Sequence, residues 1–170
     1  MTTPWNHRCA QRMKSMKGSA IRELLKLTES PDIISFAGGM PAPEVFPVAA
    51  FQAATERVLA RQGKQALQYS ASEGYRPLRE WIAGKMANYG IESAPENVLI
   101  TSGSQQALDL LGKVLINPGD LILTEKPTYL GALQAWRAYQ AEFTTVPVDN
   151  DGLQVDLLEE ALTAGPKFMY

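Results

Sequence analysis

Residues 97–149 read NVLITSGSQQALDLLGKVLINPGDLILTEKPTYLGALQAWRAYQAEFTTVPVD, and the alternation of patterns within them decides the fold class. Val98–Thr101 is a short β-rich run. Ser104–Asn117 then carries Leu108, Leu111 and Leu115 at helical spacing. Leu121–Thr124 predicts a strand, Tyr129–Gln140 a helix, and Phe143–Val148 a strand ended by the turn sequence DNDG. A helix from about Asp156 to Ala164 and a final short run, Lys167–Tyr170, continue the alternation. Strands alternating with helices of about ten or more residues predict βαβ units, a mostly parallel sheet and right-handed crossovers.

Upstream the patterns are less regular. Ser19–Leu27, SAIRELLKL, opens on an N-capping residue and places Ile21, Leu24, Leu25 and Leu27 at near-helical spacing, with Pro31 as the stop. DIISFAGGMPAPEVFP follows, a short apolar strand over Ile33–Ala37 running into a Gly-Gly turn and three prolines. Proline removes donors and fixes φ, so this stretch predicts an extended arm. Val48–Arg61 is helical again, with Phe51, Ala54, Val58 and Leu59 as the expected buried stripe. Pro77 suits the first turn of a further helix whose apolar face is Leu78, Trp81, Ile82 and Met86, and Gly90 suits its C-terminal stop.

The bulk composition narrows the function. At 170 residues, 45% hydrophobic and 20% charged, the chain is an ordinary globular sequence with room for one domain. Sixteen Lys+Arg against eighteen Asp+Glu leave a net charge of −2, which provides no footprint for nucleic acid or an anionic membrane. Cys9 is the one cysteine and His7 the one histidine, so an intramolecular disulfide and a cysteine-based metal site are excluded. A reducing, cytoplasmic location is the plain reading. The first 22 residues hold five basic residues and no acid, which predicts a basic arm rather than a targeting segment, since Pro4 and Gly18 interrupt any amphipathic pattern.

The strand-to-helix turn Thr101-Ser102-Gly103-Ser104-Gln105 has the chemistry of an anion cradle. A helix's first turn leaves N–H groups unpaired, and its dipole favours negative charge there. Gly103 lets a phosphate approach the backbone, and Ser104 adds a hydroxyl donor. Read alone, the same residues equally serve to cap a helix. The segment is neither a P-loop nor a dinucleotide fingerprint, because it lacks Gly-Lys-Ser/Thr and offers one glycine.

Four blocks occur in order: SFAGGMPAPEVFP (35–47), QYSASEGYRPLREWIA (68–83), ITSGSQQALDL (100–110) and EKPTYLGALQAWR (125–137). Together with SAIRELLKLTESPDII they resemble the N-terminal part of class I/II, fold-type-I aminotransferases, closest to the 2-aminoadipate and kynurenine aminotransferase group. The likeness runs from about Lys17 to the last residue. It implies a three-layer α/β/α large domain with pyridoxal 5'-phosphate as cofactor. The chain is then expected to be the N-terminal portion, its sheet incomplete at the C-terminus. Residues 1–47 would be an arm and helix contributing to the small domain and substrate site, and 48–170 part of the large domain.

The resemblance also implies roles. Gly103, Ser104 and Gln105 would hold the cofactor phosphate, Tyr129 would stack on the pyridine ring, and Tyr69 would reach across a dimer interface to the neighbouring subunit's phosphate. Gly39 would lie beside the substrate α-carboxylate. Arg22, with Ser19 as companion, would bind the distal carboxylate of an acidic substrate, as the planar guanidinium fork suits. Each has a simpler alternative: a core aromatic for Tyr129, a loop tyrosine for Tyr69, a solvated helix charge for Arg22.

The implied function is amino-group transfer from a 2-amino acid, 2-aminoadipate or a broad range, to a 2-oxo acid such as 2-oxoglutarate, in a homodimer or with a complementing C-terminal portion. The family's catalytic lysine would lie downstream of Tyr170. Lys17, Lys113, Lys126 and Lys167 do not match its place, so no catalytic residue and no metal site are assigned in this chain. The expectation is a fragment, inactive alone. Two alternatives remain, an inactive remnant and an aminotransferase-like regulatory module.

Overall fold

The computed structural model describes residues 6–14 and 39–170, in two compact units, Gly18–Ile100 and Met1–Lys17 with Thr101–Tyr170. The predicted helix over Ser19–Leu27 and the strand over Ile33–Ala37 lie outside the described residues.

In the Gly18–Ile100 unit, helix α1 spans Val48–Ala66 and helix α2 spans Arg76–Ala87. The sequence ends α1 at Arg61; the structure carries it to Ala66 through a break at Gln62, whose φ of −138° is not helical. The stripe expected to be buried is not. Phe51 is 75% exposed, Val58 and Leu59 are exposed, and α1 buries none of its residues. Periodicity fixes which face is apolar, but burial requires a second layer over it.

Helix α2 begins after Tyr75 with Pro77 in its first turn, and Gly90 ends it as predicted, at φ +74°. There the Gly90 N–H donates to the Ala87 carbonyl (3.0 Å) and the Ile91 N–H to Met86 (3.1 Å). Its covered face differs from the prediction: Leu78 and Trp81 are exposed, while Arg79 and Ala83 are buried. The reason is the short turn Pro95–Asn97, which packs against α2 and whose Pro95 carbonyl accepts from Arg79 Nη1 at 3.1 Å. Val98–Thr101 is not a ladder strand. Val98 is extended and the Ile100 N–H donates to the Glu73 carbonyl at 3.0 Å, but a strand needs a paired neighbour and the segment takes part in none of the described ladders.

The second unit contains the sheet. Strand β1 (Leu121–Lys126) pairs parallel with β2 (Glu142–Asp149) and with β4 (Phe168–Met169), while β3 (Gly152–Leu153) closes an antiparallel hairpin on β2. The order is β3-β2-β1-β4. This is the mostly parallel α/β arrangement predicted, with two strands longer than their sequence pattern. DNDG makes the hairpin turn: the Asp151 N–H donates to Asp149 Oδ1 (2.9 Å), and Gly152 takes φ +116°. In the register Lys126 faces Pro147, whose carbonyl accepts from the Gln154 N–H on the outer side (3.0 Å).

Three helices serve this sheet: α3 (Ser104–Leu115), α4 (Leu130–Arg137) and α5 (Leu158–Thr163), the last after a 3-10 turn at Val155–Leu157. Strand alternation sends Ile122 to one face, where it packs with Leu108, Ala132, Ala135 and Trp136 from α3 and α4. Leu123 and Val146 point to the opposite face and are buried too, so both faces are covered. Of the predicted α3 stripe only Leu108 is buried, because Gly112 turns the contact toward α4 and leaves Leu111 and Leu115 exposed.

Trp136 locks these helices together. Its Nε1 donates to the Leu108 carbonyl at 2.9 Å, and its ring meets Phe168 and Tyr170 edge-on at centroid distances of 5.3 and 5.1 Å. Tyr139 donates its hydroxyl to Asp109 Oδ1 (3.0 Å), and burial, then that carboxylate, raises the phenol's pKa. A β-carbon on Gly112 would stand 2.7 Å from Tyr139 Cδ2 and 2.9 Å from Trp136 Cδ1.

Both rings are hydrogen-bonded and cannot swing away cheaply. Overpacking of about 1–3 kcal/mol therefore outweighs the roughly 1 kcal/mol of helix propensity that alanine gains over glycine. Gly112→Ala should lower stability by about 1–2 kcal/mol in urea unfolding. Gly84→Ala, in α2 with open space around its β-carbon position, should change stability in the opposite direction. A second expectation concerns acid. Asp120 Oδ2 accepts from Lys167 Nζ (2.6 Å) and from the Asn117 N–H (2.7 Å), and the first of these is the larger cause of its lowered pKa. A carboxyl depressed in the folded state adds stability above its unfolded pKa and loses it as pH falls through the folded value. Asp120→Asn should therefore flatten the stability profile below about pH 4, measured by unfolding at stepped pH.

Candidate functional site

The site begins where the chain enters α3. Gly103 is the N-cap residue at φ +92° and ψ 171°, a conformation L side chains rarely adopt. Thr101 Oγ1 donates to the Gly103 carbonyl at 3.1 Å, and the Ser102 N–H donates to Gln106 Oε1, so the turn is braced from both ends. No side chain caps the start of α3. Ser104 and Gln105 supply exposed first-turn positions, and the open space around Gly103 leaves the backbone approachable.

Tyr129 stands at the start of α4 as its N-cap residue, also without a side-chain cap, two residues beyond the cis Lys126–Pro127 peptide. Its ring is half-exposed, at 51%, and folds back over the first turn of its own helix against Gly131. Gln105 joins the two helix starts: its Nε2 donates to the Gly131 carbonyl at 3.0 Å. Gly103, Ser104, Gln105 and Tyr129 thus belong to one local arrangement, two uncapped helix N-termini held side by side with an aromatic ring on one of them.

The other residues singled out from sequence belong to the other unit or lie outside the described residues. Tyr69 is in the Gly18–Ile100 unit, in the segment after α1, 99% exposed, with its N–H donating to Gln68 Oε1 (2.8 Å). Gly39 is in the same unit, exposed, at φ +60°. Arg22, Ser19 and Lys17 lie outside the described residues. Among the lysines, Lys113 sits in the last turn of α3, Lys126 ends β1, and Lys167 is paired with Asp120. Among the described residues no group of His, Cys, Asp and Glu could hold a metal ion.

Sequence reasoning passed over Gly131 and Gln106. A signal for Gly131 was present: glycine in a helix's first turns costs up to about 1 kcal/mol relative to alanine, so one two positions after an aromatic marks a close approach. Gln106 offers no such signal, since a glutamine in a first turn is ordinary.

Comparison with known proteins bears on the chain's family and fold. The profile of the family described as "Aminotransferase class I and II" matches residues 31–170. The chain is 51% identical over 157 residues to "Aromatic-amino-acid aminotransferase 1" of Thermococcus litoralis, covering 90% of this chain and 37% of that protein. It is 48% identical over 167 residues to "2-aminoadipate transaminase" of Thermus thermophilus, covering 98% of this chain and 41% of that protein. Among solved structures, the alpha-aminoadipate aminotransferase LysN of Thermus thermophilus, complexed with N-(5'-phosphopyridoxyl)-L-leucine, superposes with a TM-score of 0.86 at 46% identity, covering 99% of this chain and 41% of that one. The chain spans about two fifths of the length of these relatives. Within that span the fold and the sequence agree, and the chain belongs to the class I and II aminotransferase family.

Proposed function

We propose that this chain forms the cofactor-gripping part of a pyridoxal-phosphate-dependent transaminase. The observation that carries the reading is the pairing of the uncapped Gly103 turn with the Tyr129 ring through the Gln105–Gly131 hydrogen bond. The residues fit the group. A phosphate needs unpaired N–H donors at a positive helix end, and α3 offers them behind a glycine. A flat heteroaromatic ring needs an aromatic face, and Tyr129 offers one that is half-exposed.

When bound, pyridoxal phosphate supplies the electron sink that stabilises negative charge on an amino acid's α-carbon. The chain's own residues bind and orient it. The first-turn N–H groups of α3 and the Ser104 hydroxyl donate to phosphate oxygens, with the helix dipole contributing about 0.3–1 kcal/mol, up to about 2 where partly buried. Tyr129 stacks on the ring for about 0.5–1.5 kcal/mol beyond area burial. In this reading the Tyr69 phenol donates to the phosphate of a neighbouring subunit in a homodimer. Gly39 lies along the substrate's α-carboxylate, and Arg22 with Ser19 recognises a distal carboxylate.

The substrates would be 2-amino acids, 2-aminoadipate among them, with a 2-oxo acid such as 2-oxoglutarate as acceptor. The names of the two relatives, one acting on aromatic amino acids and one on 2-aminoadipate, support a range rather than a single substrate. In this reading none of the described lysines is assigned the catalytic role, which would belong to a complementing C-terminal portion. Residues 1–47 would contribute to the small domain and substrate site, and 48–170 to the large domain. A cytoplasmic location is in keeping with one cysteine in the sequence, and no helix among the described residues is long and apolar enough to cross a membrane.

Titration with pyridoxal phosphate, followed by its absorbance and by thermal unfolding, tests the reading. Binding should stabilise the protein by about 2.7 kcal/mol at a hundredfold excess over Kd. Tyr129→Ala should weaken binding about two- to tenfold, and Ser104→Ala should weaken pyridoxal phosphate more than pyridoxal. No saturable binding, or equal affinity for pyridoxal with and without its phosphate, would overturn it.

A further inference from the structure

Gly131 is buried in the first turn of α4, and a β-carbon there would stand 2.5 Å from Tyr129 Cζ and 2.7 Å from its Oη, with Cε1 as close. These are the far atoms of a side chain with two rotatable bonds, so the ring and not the backbone would yield. The Gly131 carbonyl accepts the amide of Gln105, which ties this turn to the start of α3. A carbonyl can only accept, so one of the two amide N–H groups of Gln105 is committed to it, while the Gln105 backbone N–H lies in the first turn of α3.

We propose that Gly131 and the Gln105 side chain are positioning residues. Gly131 is the seat that lets the Tyr129 ring lie at the height of a stacked heteroaromatic, and Gln105 sets the distance from that ring to the anion-binding turn. This inference rests on the cofactor reading above, extending it from the residues that touch the ligand to those that fix their spacing. The ring–phosphate span of the ligand is rigid to within one short linker, so platform and cradle must be held in register.

The seat itself can be observed without ligand. In the NMR spectrum the Gly131 α-protons should be shifted by the Tyr129 ring current, and Tyr129→Leu should remove the shift. Its absence in the wild-type chain overturns the geometry. Binding then tests the role. Gly131→Ala should leave thermal stability unchanged or raised, since alanine is the better helix former, yet weaken pyridoxal phosphate about two- to tenfold. Inorganic phosphate affinity should stay at the wild-type level.

In a Tyr129→Ala background the Gly131→Ala effect should vanish, because the ring it displaces is gone. Gln105→Met, which keeps the side chain's length without the donor, should weaken pyridoxal phosphate and leave inorganic phosphate unaffected, and it stands as the test if Gly131→Ala does not fold. Lowered stability with unchanged affinity, or a Gly131→Ala loss that persists without Tyr129, overturns the proposal. If the wild-type chain binds no pyridoxal phosphate, the cofactor reading fails by itself, while the ring-current shift still decides whether the seat exists.

Discussion

The Trp136 indole is the constraint on which the sheet-bearing unit depends. It is fully buried, donates to a carbonyl of α3, belongs to α4, and meets the rings of Phe168 and Tyr170 at right angles. One side chain therefore fixes two helices and the β4 edge of the sheet relative to each other. An indole N–H buried without an acceptor costs about 1–3 kcal/mol, so α3 must present Leu108 to it. Gly112 supplies the clearance for that approach. The side-by-side start of α3 and α4, which the site requires, follows from this lock farther along the same helices.

A site built this way gains precision from regular elements. The proposed anion-binding groups and aromatic platform would both lie at helix N-termini, where the backbone is set by hydrogen bonds within the helix. The brace between Thr101 and Gly103, and that between Ser102 and Gln106, hold the turn before any ligand arrives. Ordering the turn on binding would otherwise lose part of the gain to entropy.

The fold was legible where the signal is local. Alternating strand and helix patterns located β1, β2 and α3 to α5, and Pro77 and Gly90 bracketed α2, because caps and breakers act over a few residues. Burial was less legible. Phe51, Val58 and Trp81 have the right spacing for a core face, but covering depends on elements distant in sequence. Val98–Thr101 has a strand's composition and lacks a ladder for the same reason. At the proposed site, Gly103 was legible from chemistry at a turn and Tyr129 through the resemblance of its PTYLG block, whereas the Gln105–Gly131 hydrogen bond joins residues 26 apart and is visible only once the two helices are docked.

Pro147 carries a consequence for how this sheet can be extended. Its carbonyl points outward to Gln154 on the β3 side, so the amide that proline lacks belongs to that same outer edge. An incoming strand would find a missing donor there and the short hairpin already in place. The opposite margin is β4, which contains no proline. The two margins of the described sheet therefore differ in kind: one carries the β3 hairpin over the proline, and the other is β4, where Phe168 packs beside Trp136.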